Sequence, residues 1–209
     1  MADAMNIQKK NNVCSPVRLF DNPWLERLTF ISFTTFLAVW LPIVLTVCIG
    51  AIWHARSMSS FIALGLLGLM TWFLFEYCVH RFLFHFKART PKGKTFIFLV
   101  HGNHHAQPNH PLRSLMPFGA SLPLAVVLGA LVVGVAGLEH GLDFLSGFLA
   151  GYVCYDVTHY ACHHFKAQNK IFMMIKRHHL LHHYQDPDMN HAISLPILDK
   201  IFLTLHKNK

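Results

Sequence analysis

Leu28–Trp53 reads LTFISFTTFLAVWLPIVLTVCIGAIW, 26 residues without a charged side chain. A helix needs about 20 apolar residues to cross a hydrocarbon core, so this stretch reads as a membrane span. Pro42 inside it is compatible with a kinked membrane helix, because neighbouring groups re-satisfy the freed backbone. Two more uncharged stretches follow, Met58–Phe75 over 18 residues and Ser114–Leu138 over 25. Leu142–His159 is a fourth candidate, with Asp143 and Asp156 near its ends. The expected fold is all-α and integral to a membrane, with four transmembrane helices. No cleavable signal is expected, since the segment up to Asp21 is polar and the first apolar run is too long for a signal core.

Composition points the same way. Apolar residues are 53% of the 209-residue chain and charged residues 13%, against roughly 25% charged in soluble domains. The net charge of +8 is explained by basic residues flanking spans, which set orientation and touch anionic head groups. No basic patch is interleaved with aromatics, so no nucleic-acid partner is expected. The five cysteines are odd in number and show no C-x-x-C spacing; they imply a reducing compartment without a disulfide framework.

With four spans, the short connections are Trp53–Ser57 and Glu139–Gly141, which carry one basic residue, Arg56. The other seventeen of eighteen Lys and Arg lie before the first span, between the second and third, or after the fourth. The bias of basic residues toward the cytoplasm places those three regions there. Residues 1–27 then form an N-terminal cytoplasmic segment and residues 28–209 the membrane domain.

Thirteen of the seventeen histidines fall in four short clusters on that same side: HRFLFH (His80–His85), HGNHHAQPNH (His101–His110), HYACHH (His159–His164) and HHLLHH (His178–His183). Neutral imidazole is the commonest protein metal ligand and suits iron and zinc. On a helix, residues three and four apart share a face. His101, His104 and His105 form H-x-x-H-H, as do His179, His182 and His183, and each set reads as three imidazoles on one stripe. His159 and His163 are an i, i+4 pair. His80 and His85 are five apart, about 140° out of phase on an ideal helix, so they reach different metals or the helix is ending there. Ten ligands are too many for one ion; two metals with about five imidazoles each leave open positions, as catalytic sites do. A cytoplasmic, histidine-rich helical cap holding a dinuclear site is the reading. Isolated His54, His140 and His206 read as interfacial side chains. His110, His164, His178 and His191 stay open between ligation, support of ligands and lipid-facing roles.

The ordered set HRFLFH, HGNHHAQP, RSLMP (Arg113–Pro117), GYVCYDVTHYACHH (Gly151–His164) and KRHHLLHHYQDP (Lys176–Pro187) resembles the membrane fatty acid 2-hydroxylases of the fatty acid hydroxylase and sterol desaturase superfamily. The resemblance runs from about Leu28 to the C-terminus. Carried over by position, it implies dinuclear-metal ligands at His80, His85, His101, His104, His105, His159, His163, His179, His182 and His183. The family's Tyr-Asp pair matches Tyr155 and Asp156, implied substrate-side or ligand-supporting residues. Asp156, three positions before His159, is placed to hydrogen-bond that imidazole and fix its tautomer; Glu76, one turn before His80, has a similar claim. Two departures stand out. The 27 residues ahead of the first span contain no haem-binding HPGG segment, and MNHAISLPILDKIF, from Met189, replaces the usual glycine-rich stretch.

The resemblance implies O₂-dependent hydroxylation at carbon 2 of a long fatty acyl group, free or within a sphingolipid. Two metal ions are implied, iron for activity, with zinc able to occupy the same imidazoles in isolated protein. It further implies a separate electron donor of the cytochrome b5 or ferredoxin type. The membrane is then the endoplasmic reticulum or a bacterial inner membrane, with both termini and the metal site cytoplasmic. Two other readings compete. One is a sterol or carotenoid hydroxylase or desaturase of the same superfamily. The other is a non-enzymatic haem- or metal-binding membrane protein, though haem needs opposed single histidines inside the bilayer rather than clusters beyond the span ends.

Overall fold

A computed structural model describes residues 17–206 of the chain; the sequence-based expectations for residues 1–16 and 207–209 lie outside it. Among the described residues every regular element is helical. Four long helices carry the fold: Phe33–His54, Met58–Cys78, Phe118–Ala136 and Leu138–His164. Their starts follow local chemistry. Ser32 Oγ accepts from the Thr35 amide and Ser57 Oγ from the Ser60 amide, each at 3.1 Å, satisfying donors that the first turn strands. Leu28–Ser32, read from sequence as span, therefore precedes the first long helix.

The third and fourth long helices are joined by one residue. Gly137 sits at φ +77°, a region glycine enters without steric cost. The chain reverses there, and Glu139–Gly141, expected as the connection, instead winds into the first turn of the fourth helix. Glu139 then meets Arg56 of the other short connection at 2.6 Å. The two connections thus share one end of the bundle, and the second and fourth helices both run from that end toward the histidines.

Among the described residues, three helices are long and apolar enough to cross a membrane: Phe33–His54, Met58–Phe84 (the second helix with its extension) and Phe118–Ala136. Each turns much of its apolar surface outward, including Leu45, Ile49, Leu66 and Val126. Such continuous exposed apolar area is unusual on a soluble monomer and natural in lipid. The fourth helix differs because the other three pack around it. Fourteen of its residues are buried, so it tolerates buried Asp143 and Asp156 where a lipid-facing helix would not. Trp72 packs edge-on against Phe148 and Tyr152, and Trp40 against Tyr152, at 4.6–5.3 Å between ring centres.

Close approach of the second and fourth helices depends on glycine, as small residues let membrane helices meet backbone to backbone. A Cβ on Gly147 would stand 1.7 Å from the Gly65 carbonyl oxygen, and one on Gly68 2.0 Å from that of Phe144. Gly147→Ala is expected to destabilise the purified protein by about 3 kcal/mol, the upper end of overpacking costs. Gly134→Ala, with nothing within 4 Å, should leave the thermal midpoint unchanged or raised. Equal midpoints for both variants would contradict this packing.

Candidate metal centre

The histidine-bearing ends converge beyond the bundle. The second helix continues through Val79–Phe84 as a π turn and stops at His85. A π turn widens the helix, and such turns recur at functional sites. It brings positions five apart onto nearly one face, so His80 and His85 belong to the same cluster rather than to different metals. Of the two sequence readings, the ending helix is the observed one. A second π segment, Phe98–Gly102, follows the short helix Pro91–Ile97 and leads into Asn103–Ala106. The helix Lys170–Tyr184 closes the cap, its start capped by Asn169 Oδ1, which accepts from the Phe172 amide at 2.8 Å.

Ten histidines come together in two groups of five. His80, His85, His101, His105 and His182 form the first; His104, His159, His163, His179 and His183 form the second. Within each group the potential ligand nitrogens all lie within 4.8 Å of one another. The reading of each H-x-x-H-H box as one stripe for one metal is corrected here. Each box splits, its i, i+4 pair entering one group and its i+3 member the other. Adjacent helical residues point about 100° apart, so His104 and His105 diverge, as do His182 and His183. The result is a crossed arrangement in which each group takes a pair from one box, a single imidazole from the other, and two from a long-helix end.

The spacing of the nitrogens tests whether an ion fits. Metal–imidazole bonds of about 2.0–2.1 Å place neighbouring ligands at right angles about 3.0 Å apart and opposite ones about 4.2 Å apart. In the first group His101 Nε2 lies 3.0 Å from Nε2 of both His80 and His105, and His105 lies 3.2 Å from His182. In the second, His104 lies 2.9 Å from His159 and 3.1 Å from His183, and His163 lies 2.8 Å from His179. These separations match the edges of such a shell, so each group of five imidazoles fits a metal ion.

Protonation state agrees. Burial, reinforced by neighbouring imidazoles, holds His101, His104, His179 and His183 far below the usual histidine range. It pushes His85, His105 and His182 down to about 3. All stay neutral at physiological pH, the form that donates a lone pair to metal.

Supporting contacts come from unexpected places. His80 Nδ1 donates to the His191 carbonyl and His182 Nδ1 to the Met189 carbonyl, the latter at 2.7 Å. These bonds leave Nε2 as the free lone pair in both rings. Both carbonyls belong to the segment Met189–His206, which buried Asp199 organises. Its carboxylate accepts from the amides of His191 and Ala192 at 2.8 Å each, from Thr204 Oγ1 at 2.7 Å and from His178 Nε2 at 2.9 Å. Glu76 is not aimed at His80. It accepts from the Ile193 and Ser194 amides at 2.7 and 2.9 Å, pinning the same segment. Asp156 does not hold His159 either: it lies against Tyr152 and the Met116 backbone, while the Ser114 backbone serves His159. His178 therefore supports the cap, and His164 meets Ser114 Oγ at 3.0 Å. Asp199 was missed in the sequence because it lies sixteen residues after His183, in a stretch with no repeated spacing.

Below the histidines lies an apolar pocket of about 170 Å³ among the long helices, lined by residues including Trp72, Leu83, Phe84, Leu128, Phe148 and Tyr155. Two of its walls touch the groups directly. Phe84 stacks on His101 at 4.9 Å and Tyr155 on His159 at 5.9 Å, both nearly parallel.

Residues 65–204 match the fatty acid hydroxylase family. The chain belongs to that family. This hydroxylase is 36% identical over 191 residues to a dihydroceramide fatty acyl 2-hydroxylase of Arabidopsis thaliana, covering 90% of the chain and 79% of the relative. It is 35% identical over 193 residues to a ceramide very long chain fatty acid hydroxylase of Schizosaccharomyces pombe, covering 89% of the chain and 54% of that protein. Among solved structures it matches full-length scs7p, of which only the hydroxylase domain is visible. That match has a TM-score of 0.82 and 31% identity, over 90% of this chain and 71% of that one. The hydroxylase is thus a metal-dependent, all-helical enzyme of lipid chemistry, with histidine groups that can hold its ions.

Proposed function

We propose that this hydroxylase inserts oxygen at carbon 2 of a long acyl chain, with the ten clustered histidines as ligands of two metal ions. One observation carries the reading: two five-imidazole groups stand at the head of an apolar pocket whose walls, Phe84 and Tyr155, stack on His101 and His159. Oxidising an unactivated C–H bond is beyond any side chain, and bound iron supplies that redox chemistry; zinc fits the same imidazoles but has none. The net reaction consumes O₂, two electrons and two protons per hydroxyl formed, with water as the second product. The electrons come from a separate donor of the cytochrome b5 or ferredoxin type.

The chain's own residues position and shield. The pocket walls hold the hydrocarbon away from water, and the π turn lends Val79, Leu83 and Phe84 to those walls. Tyr155 confines the acyl chain beside His159, and Asp156, buried behind it, fixes the local packing of the fourth helix. The four long helices cross the membrane together, the fourth shielded by the other three. Residues 28–209 form the membrane domain, with the histidine cap and both termini in the cytoplasm, at the endoplasmic reticulum or a bacterial inner membrane. Expression in a host lacking 2-hydroxy lipids, with iron and a competent reductase, should yield 2-hydroxy acyl chains by lipid mass spectrometry. Hydroxyls at other carbons, or none, would count against the reading.

A further inference from the structure

The chain between Glu76 and Glu139 contains no Asp or Glu. Its basic residues fall into two sets. Arg81 donates to the Tyr77 hydroxyl, Lys87 pairs with Asp188 at 2.7 Å, and buried Arg113 pairs with Glu26. Exposed Arg89, Lys92 and Lys94 have no side-chain partner among the described residues. These three lie on or just before the helix Pro91–Ile97, none of whose residues is buried. Thr90 caps its start, Oγ1 accepting from the Gly93 amide at 3.1 Å. One cap does not hold such a helix: in water, isolated helices shorter than about 12 residues are marginal, and this one has seven. Its main neighbour is the π segment Phe98–Gly102 that continues it. Val100 in that segment leads directly into His101, so the short helix sets the path into the box that holds His101, His104 and His105.

Both ends of this segment lie where the bundle meets the cap. On the entering side, Phe82 and Leu83 belong to the helix Met58–Phe84, long and apolar enough to cross a membrane, and Phe86, 60% exposed, follows at once. On the returning side, Leu99 and Val100 share a pocket wall with Gly119 and Ala120, in the first turn of the third long helix. The short helix spans the rim between these ends, with Phe96 51% exposed and Phe98 also open to the outside. These rings continue the outward-facing apolar surface of the long helices, and aromatic side chains concentrate where hydrocarbon gives way to head groups. Charge names the occupant. Unpaired cations beside exposed rings match a surface that is apolar beneath and anionic above, the pattern of an interfacial helix. A soluble acidic protein would meet the cations, but it gives no reason for the rings to run on from a lipid-facing band.

We propose that the helix Pro91–Ile97 docks on the anionic phospholipids of the leaflet beneath the cap, and that this docking steadies the chain entering His101. Phe86 and Phe96 sit at the acyl boundary, and Arg89, Lys92 and Lys94 meet head-group phosphates. The proposal rests on the membrane reading above. Its test is hydrogen exchange of the full protein in nanodiscs, made of phosphatidylcholine alone or mixed equally with phosphatidylglycerol. Each cation near an anionic surface is worth about fivefold in equilibrium. Three of them slow exchange over residues 92–106 by up to about 100-fold in the anionic discs at low salt, and by less as salt screens them. The triple variant Arg89→Gln, Lys92→Gln, Lys94→Gln exchanges alike in the two discs. Its fold is kept, because none of the three side chains has a protein partner, and amides 148–155 of the central helix report this by exchanging as in the native protein. Phe96→Ser loses protection in both discs. Equal exchange of the native protein in the two discs, or a triple variant that keeps the full difference, would overturn the proposal. Protection that appears only on adding soluble cytochrome b5 would also overturn it and assign the surface to an electron donor. Protein that enters neither disc would remove the membrane reading itself.

Discussion

Replacing His101 with alanine should lower the metal content from two ions per chain to one and remove 2-hydroxy lipid from the expressing host. His101 Nε2 is the centre of the first group, 3.0 Å from both His80 and His105, and its ring is buried against Phe84. Loss of supporting contacts alone costs about 10- to 100-fold in metal affinity or activity, so loss of a ligand should exceed about 100-fold in product. The second group contains none of the residues disturbed and should keep its ion. His164→Ala is the demanding comparison, because His164 lies in a cluster yet belongs to neither group; it should retain both ions. Two ions in His101→Ala, counted by elemental mass spectrometry, would remove His101 from the ligand set.

Asp199→Ala is the second large effect. The carboxylate is fully buried and serves four donors. Alanine strands the His191 and Ala192 amides, the Thr204 hydroxyl and the His178 ring, at about 1–3 kcal/mol for each unsatisfied group. Even with partial relaxation the loss should reach about 4 kcal/mol, a large share of the 5–15 kcal/mol that typically holds a domain together. The damage is also directional. Met189–Ala192 loosens, His80 and His182 lose their carbonyl acceptors, and the first group should lose about 10- to 100-fold in metal affinity while the second holds. Asp199→Asn, which keeps an acceptor oxygen, should fall between. A native thermal midpoint with both ions tightly held in Asp199→Ala would show that the segment stands without it.

The spans and the histidines were legible for a shared reason: both are local patterns. An uncharged run such as Leu28–Trp53 needs no partner to be recognised, and the i, i+3, i+4 spacing of His101, His104 and His105 follows from helix geometry alone. The fourth long helix was harder to read because its polarity reflects burial inside the bundle, which no single segment encodes. Glu139–Gly141 looked like a connection until Gly137 proved sufficient to reverse the chain by itself. Asp156 and Glu76 were placed near ligands by counting turns. Counting turns fixes a direction around one helix but not what stands opposite it, and both carboxylates answer to other partners.

From its sequence alone the chain carries the membrane class, the helical architecture, the family resemblance and the identity of the ten imidazoles, because composition, run length and helical period are properties of contiguous residues. Only the tertiary structure decided how those imidazoles divide into two groups of five. It alone showed that a π turn unites His80 with His85, that Asp199 holds the carbonyls behind the first group, and that Arg113 meets Glu26 beside His104. Each of these depends on which helices face one another across the cap, and residues 87 positions apart leave no periodic trace of their meeting.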